Sequence, residues 1–481
     1  MRCRGKFHHG SAGLGRGRSR QGANATCRAG SGANPMSAAN PSAARNADLV
    51  VSAEHVLPIA PDNIVLHDAA IAVASDTIID VGDRNGVLAR HPGATHRNLP
   101  HHVLLPGLVN AHGHLAMTLL RGLGEGQSLE AWLQETIWPL EGRWVDEDFV
   151  ADGTLLAMVE MLASGTTTGS DMYFFPETVV ELARVGCRMQ VSFPIINHAS
   201  AWSHDVDECF EKGLRLRDEC RTNPLVEVCF GPHATSSAGE AALRRVAMYA
   251  DELDAKVQIH LHETRAEVAE ARRNLGQHPI RVLEDVGLLT ENLQAVHMTA
   301  VSEVEVAMIA ECGASVVHCP MSNTKLASGI CPVTGFREAG VTVALGTDGA
   351  ASNNGLDLFQ EARMATLLAK LGTGDPAALP AAEALEMATL GGARALGVAD
   401  RIGSLEVGKQ ADFIAVDVDH AAMQPLHDVP AQLVHTAAGS RVSHAYVAGE
   451  CRYENGSFPT IDVDSLRHRT ALWQSRMAGD A

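Results

Sequence analysis

Apolar and polar residues alternate over short runs near both ends of this chain and over longer, helix-spaced runs in the middle. From 47 to 101 the runs Asp48-Leu49-Val50-Val51, Asn63-Ile64-Val65-Leu66, Ala70-Ile71-Ala72-Val73 and Thr77-Ile78-Ile79-Asp80-Val81-Gly82 are short segments separated by turn residues. That spacing predicts a small β-sandwich. A comparable pattern returns only after 401, in Asp412-Phe413-Ile414-Ala415-Val416 and Ala445-Tyr446-Val447-Ala448-Gly449. The two ends therefore predict halves of one β domain, 47–101 and 401–455, with a larger domain at 102–400 inserted between them and an extension at 456–481. In the insert, the apolar run Val103-Leu104-Leu105 leads into Leu108-Val109-Asn110-Ala111-His112-Gly113-His114 as a first strand. Seven further strand candidates follow, at 166–172, 189–193, 226–230, 257–261, 293–297, 314–318 and 341–345. Amphipathic helical stretches, such as 152–163, 241–253, 301–311 and 358–369, separate them. Eight βα units over about 300 residues have the size and order of a (β/α)8 barrel, so the expected fold is α/β.

Composition narrows the class of function. Across 481 residues the net charge is −19, which opposes binding to nucleic acid or to an anionic membrane. No uninterrupted apolar run approaches the roughly 18 residues of a membrane span. Ten cysteines are scattered singly without a Cys-x-x-Cys pair, which argues for a reducing, cytoplasmic setting. Residues 1–46 differ from the rest: Arg2, Arg4, Lys6, Arg16, Arg18, Arg20, Arg28 and Arg45 stand there without one Asp or Glu. Such a stretch cannot bury a core, and disorder is expected. It reads as a transit peptide, a basic tail, or an over-extended reading frame whose true start is Met36. The last is favoured, because the segment has no amphipathic apolar stripe.

In a (β/α)8 barrel the chemistry sits where the strands run out. His112 and His114 stand at the end of the first strand, His233 after the fourth, His260 to Glu263 on the fifth, His297 on the sixth and Asp348 after the eighth. In a strand alternate side chains share a face, which lets His112 and His114 point together at one metal ion. With Asp348 and a histidine of the fifth strand they form a nitrogen and oxygen set suited to one Zn²⁺, or alternatively Fe²⁺. Alternation puts His260 and His262 on one face, so spacing leaves open which of them is the ligand. Glu263 is the natural proton carrier beside a metal-activated water. Cys229-Phe230-Gly231-Pro232-His233 offers no lysine at the end of the fourth strand, which argues against a bridging carbamate and a second metal. Gly403 to Lys409 imitates a P-loop, but Gln410 stands where Ser or Thr is required. The His-x-Glu and Pro-Cys-x-x-Cys pair of cytidine-type deaminases and the Gly-x-Ser-x-Gly of serine hydrolases are absent.

Asn110-Ala111-His112-Gly113-His114, His260-Leu261-His262-Glu263-Thr264, Ala295-Val296-His297 and Leu345-Gly346-Thr347-Asp348 through Asn354 resemble the amidohydrolase superfamily. Within it they resemble the 5′-methylthioadenosine/S-adenosylhomocysteine deaminases, in the group that also holds chlorotriazine hydrolases. The resemblance runs from about 47 to about 453. It implies metal binding by His112, His114, His260 and Asp348, and so selects His260 over His262. It further implies that water attacks C6 of an adenine ring while Asp348 takes its proton, that Glu263 protonates N1, and that His297 stabilises the attacking oxygen. Trp132, Glu141, His233 and Ser352 become substrate contacts, with Glu141 bridging ribose hydroxyls and Trp132 covering a thioether. A small nucleoside is the expected partner, and a homo-oligomer the expected assembly.

Plainer roles compete for several of these residues. Trp132 lies in the amphipathic run Leu129, Trp132, Leu133, Thr136, Ile137 and fits a core position. Glu141 fits a solvated helix end, His233 a turn, His318 a core histidine, and Asp171 an orienting partner on the rim. Ala234-Thr235-Ser236-Ser237 after His233 replaces the family's commoner Pro-Tyr, which opens the choice of substrate. The alternative functions are a deaminase or dechlorinase of another aminated heterocycle, such as a triazine, guanine or a pterin, and a non-catalytic relative that uses the barrel for binding. Glu141 separates the first from the nucleoside reading, since a bare heterocycle has no ribose. The intact His112, His114, His260, Glu263, His297 and Asp348 argue against the second.

Overall fold

Strands β1 (Leu49–Val56), β2 (Leu66–Ala74) and β3 (Thr77–Asp83) form an antiparallel meander, and β4 (Thr95–Pro106) joins β1 in parallel. The computed structural model describes residues 46–479, so the expectations for the basic stretch at 1–45 lie outside the described residues. Asn63-Ile64-Val65 is not strand; the runs expected at 63–66 and 70–73 are one strand that begins at Leu66. Val103-Leu104-Leu105 also departs from the expectation. It is the buried half of β4, paired with β1 and with the C-terminal part of the chain, and the first barrel strand is the three-residue β5 (Leu108–Asn110) that follows it.

The barrel continues through β6 (Thr166–Asp171), β7 (Arg188–Ile195), β8 (Val226–Pro232), β9 (Val257–Leu261), β10 (Leu293–His297), β11 (Ser315–His318) and β12 (Val343–Leu345), all parallel and in sequence order. The order of the first and last strands is closed by a backbone hydrogen bond from Ala111 N to Leu345 O, 2.9 Å. Every residue of β9 is buried. Val257, Ile259 and Leu261 join the main apolar core, while the alternate Gln258 bonds His112 and Ala111 O just past β5 and His260 faces His233 O and His112 Nε2. Helices between the strands start at polar caps: Asp146 accepts from Phe149 N to open Glu147–Ala163, and Ser302 with Glu305 forms a capping box for Glu303–Cys312.

The chain then returns to the first sheet as β13 (Phe413–Asp417), β14 (Val442–Val447) and β15 (Glu450–Glu454). The seven-stranded order is β15-β14-β13-β4-β1-β2-β3, so both chain ends build one β unit. Ile78 N donates to Lys409 O and Ala411 N to Asp76 O, which draws β3 back over the approach to β13. Val51, Ile71, Ile78, Leu104, Phe413 and Tyr446 fill the space so enclosed. A buried ion pair ties this unit to the barrel: Arg188 Nε, at the start of β7, lies 2.9 Å from Asp412 Oδ2. Past 456 the chain forms a helix, Val463–Gly479, whose Trp473 Nε1 donates to Asp152 Oδ2 at 2.9 Å.

Candidate metal centre and active site

His112, His114, His260 and Asp348 meet at the C-terminal rim, each offering one ligand atom within 4.8 Å of the others. The donor chemistry fits a cation. His114 Nδ1 faces Met172 O at 2.6 Å and His260 Nδ1 faces His233 O at 2.8 Å, and a carbonyl can only accept, so both Nδ1 atoms carry the proton. His112 Nδ1 faces Gln258 Oε1 at 2.8 Å, and that amide is oriented by its Nε2 donating to Ala111 O at 2.9 Å and Gln294 Oε1 at 2.7 Å. With Nδ1 committed in this way, Nε2 is the ring atom that each of the three turns toward the cluster. His112 Nε2 and His260 Nε2 approach to 3.2 Å, and Asp348 Oδ1 lies 3.4 Å from His112 Nε2 and 3.2 Å from His114 Nε2. Three imidazole Nε2 atoms and a carboxylate oxygen at these separations form a donor set that a divalent ion fits.

Asp348 reaches this point by a backbone turn. Its φ of 61° lies in the left-handed region, uncommon for a residue with a Cβ, and its amide donates to His112 O at 3.0 Å. Asn110 Nδ2 donates to Thr347 Oγ1 at 2.8 Å while Thr347 N donates to Asn110 Oδ1 at 2.9 Å, so the loops after β5 and β12 are clamped together. Ser322 and Ser352 hydroxyls donate to Asp348 Oδ2 at 2.7 and 2.8 Å, leaving Oδ1 toward the histidines. Burial alone raises the carboxyl; its contacts with His112 and His114 outweigh this and hold it well below the usual range.

Glu263 and His297 stand beside the cluster, 3.8 Å apart between Oε2 and Nε2. Burial, then the field of Asp348, pushes Glu263 up to about 8, so its carboxyl keeps a proton at neutral pH. Ser328 Oγ donates to its Oε1 at 3.3 Å. His297 Nδ1 bonds Asn323 Oδ1 at 2.9 Å, and burial lowers its pKa, which leaves the ring neutral. His233 packs its ring 4.8 Å from that of His260, and burial depresses it to about 4. Glu141 Oε1 accepts from Tyr173 Oη at 2.7 Å, and burial lifts this carboxyl to about 7.

His262 turns away from the cluster: at φ 52° it leaves the strand, its Nδ1 bonds Ala300 O at 2.9 Å, and its Nε2 accepts from Ile280 N at 3.2 Å. Trp132 is buried in the main core on a π-helical turn and lies over Gly124, whose missing side chain makes the room. Asp171 Oδ1 accepts from Leu115 N at 2.7 Å and so orients the loop behind His114. His318 is buried with its Nδ1 unpartnered. Gln258, Ser322, Asn323, Ser328 and Tyr173 escaped the reading of the sequence. Gln258 carried a usable signal, a polar residue two before His260 in an otherwise apolar strand, and Ser322 and Asn323 a second, polar residues just past the seventh strand.

An eight-stranded parallel barrel that gathers three imidazoles and a carboxylate at its C-terminal rim, with a protonated glutamic acid beside them, is a metal-dependent hydrolase in architecture. The amidohydrolase family model matches residues 103–451, and the chain belongs to the amidohydrolase family. It is 46% identical over 431 residues to the 5-methylthioadenosine/S-adenosylhomocysteine deaminase of Teredinibacter turnerae, covering 89% of this chain and 98% of that one. The crystal structure of an adenosine deaminase from Xanthomonas campestris with bound zinc superposes with a TM-score of 0.88 at 43% identity, covering 90% of this chain and 99% of that one. An atrazine chlorohydrolase from Arthrobacter aurescens shares the fold, with a TM-score of 0.82 at 24% identity over 88% of this chain and 99% of that one.

Proposed function

We propose that this protein hydrolytically deaminates the adenine ring of adenosine thioethers, 5′-methylthioadenosine and S-adenosylhomocysteine, releasing ammonia and the inosyl product. The likeness to a deaminase of that name across 98% of its length carries the reading. His112, His114, His260 and Asp348 would hold one divalent ion, taken as zinc because a neighbour at 43% identity binds it. When bound, the ion acts as a Lewis acid that makes water a nucleophile at neutral pH.

The chain's own groups supply the proton transfers. Glu263, protonated at neutral pH, donates to ring N1 and so makes C6 electrophilic. Asp348 takes one proton from the attacking water and passes it to the departing amine. As the C6 carbonyl forms, the remaining hydroxyl proton returns to Glu263, and ammonia leaves. His297, neutral and held by Asn323, hydrogen-bonds the attacking oxygen. Glu141 accepts from the ribose hydroxyls, Trp132 lies along the thioether, and His233 and Ser352 flank the base, Ser352 sharing its hydroxyl with Asp348. A cytoplasmic location accords with eight unbridged cysteines among the described residues, none of whose helices is long and apolar enough to cross a membrane. A homo-oligomer is proposed with it, to be checked by light scattering.

Ammonia release by the metal-replete protein, with S-adenosylhomocysteine, 5′-methylthioadenosine, adenosine, guanine and melamine side by side, tests the reading. The two thioethers are expected to turn over best. Turnover of guanine or melamine without turnover of any adenosine would assign the barrel to bare heterocycles instead.

A further inference from the structure

Where β6 runs out, two consecutive residues anchor two different parts of the site. Met172 O accepts from His114 Nδ1 at 2.6 Å, and Met172 N donates to Gly113 O at 2.9 Å, so this residue is locked to the histidine loop. The next residue, Tyr173, sends its hydroxyl to Glu141 Oε1 at 2.7 Å. The phenol is the donor and the carboxyl oxygen the acceptor. Tyr173 is buried, and its ring lies 6.4 Å from that of His114 and 5.1 Å from that of Phe174, so it has little freedom to swing.

Glu141 needs such a partner. It sits on the short helix Trp138–Trp144, which continues the π-helical turn Trp132–Ile137 within the long excursion between β5 and β6. Among the described residues only Tyr173 donates a hydrogen bond to its carboxylate. One oxygen is thereby engaged and the other left for a ligand. Because the donor is one peptide unit from the residue that fixes His114, the distance between Glu141 and the metal cluster is set by the covalent backbone of Met172 and Tyr173. A ligand that spans this distance is rewarded at both ends.

We infer that Tyr173 is a specificity-determining positioning residue, holding Glu141 so that the site selects ribonucleosides with a vicinal diol over free bases and over nucleosides that lack the 2′ and 3′ hydroxyls. The inference rests on the proposed reading of Glu141 as the ribose contact. Tyr173 does not touch the reacting atoms. It acts through Glu141, and its loss is felt in binding of the sugar rather than in the chemistry at C6.

Steady-state kinetics of metal-loaded wild type, Tyr173→Phe, Glu141→Ala and the double variant, with 5′-methylthioadenosine and 2′,3′-dideoxyadenosine, tests it. Phe keeps the ring and removes only the hydroxyl, and matching circular dichroism and metal content establish that the site is intact. Tyr173→Phe is expected to raise KM for 5′-methylthioadenosine by roughly tenfold or more, the effect of losing a hydrogen bond to a charged group, with kcat within about twofold. KM for 2′,3′-dideoxyadenosine stays unchanged, and the double variant matches Glu141→Ala. An equal change toward both nucleosides, or a fall in kcat on both, overturns the inference. If wild type prefers the ribonucleoside and Tyr173→Phe does not alter that preference, the role of Tyr173 fails while the ribose reading stands. A wild type that treats the two nucleosides alike overturns the ribose reading itself, and this inference with it.

Discussion

Gln258 makes its hydrogen bonds entirely inside the barrel, to His112, Ala111, Ser170 and Gln294, and Gln294 in turn donates to Ala395 O at 2.8 Å. This chain fixes the tautomer of His112 from below, where neither substrate nor solvent reaches. Gln258→Leu removes the acceptor for Nδ1 and is expected to weaken metal affinity by about 10- to 100-fold, read by competition with a chromophoric chelator. Glu263 offers a second test. Its proton, held up to about 8, is required on the enzyme, so kcat/KM is expected to fall as pH rises through about 8. Glu263→Gln should lower kcat by about 10²- to 10⁴-fold. The linkage has a definite sign. Between the ordinary carboxyl value near 4.5 and about 8 the folded state binds more protons than the unfolded state, so this group withdraws stability as pH rises. The variant should therefore gain in melting temperature relative to wild type between about pH 5 and pH 8, and a constant difference across that window would contradict the buried, protonated carboxyl.

Elements place these residues by close approach. The helix Glu147–Ala163 lies against the turn Leu115–Leu120 that follows His114, and at Gly153 a Cβ would stand 2.4 Å from Ala116 O. Thr118 Oγ1 donates to Gly153 O at 2.6 Å at the same crossing. Gly153→Ala is predicted to push the turn, and His114 with it, off the cluster. Metal affinity should fall while the helical circular dichroism persists, and an unchanged affinity would sink the idea. From outside, the helix Val463–Gly479 clamps the same element through Arg469 and Trp473 on Asp152. Periodicity did not reveal this helix, since only Leu466 and Trp473 of its residues are buried. The edge strand β15, where the buried position is Arg452 and the rest are half-buried or exposed, was missed for the same reason. Strongly buried strands such as β7 and β9 were legible because every second residue could be read as apolar.

Across the whole molecule, the β unit and the barrel are joined through Asp412, whose carboxylate receives Arg188 and Ala448 N while its carbonyl accepts from Gly107 N. Asp412→Ala leaves the buried Arg188 guanidinium without its counter-charge, its remaining acceptors being Pro224 O and Gln410 Oε1, and a loss of about 3–5 kcal/mol is expected in denaturant unfolding. A shift below about 1 kcal/mol would mean that the junction is hydrated. The sequence by itself determined the eight βα units, the split β domain, and the placing of His112, His114, His233, His260, Glu263, His297 and Asp348 at strand ends, because periodicity and residue type are local properties. Tertiary structure alone decided that Val103 to Leu105 pairs outside the barrel, that His262 turns from the cluster at φ 52°, and that Tyr173 meets Glu141. Those outcomes depend on which strands pair and on how the backbone turns after the last ladder hydrogen bond. Both are set by contacts between residues far apart in the chain, which no local pattern encodes.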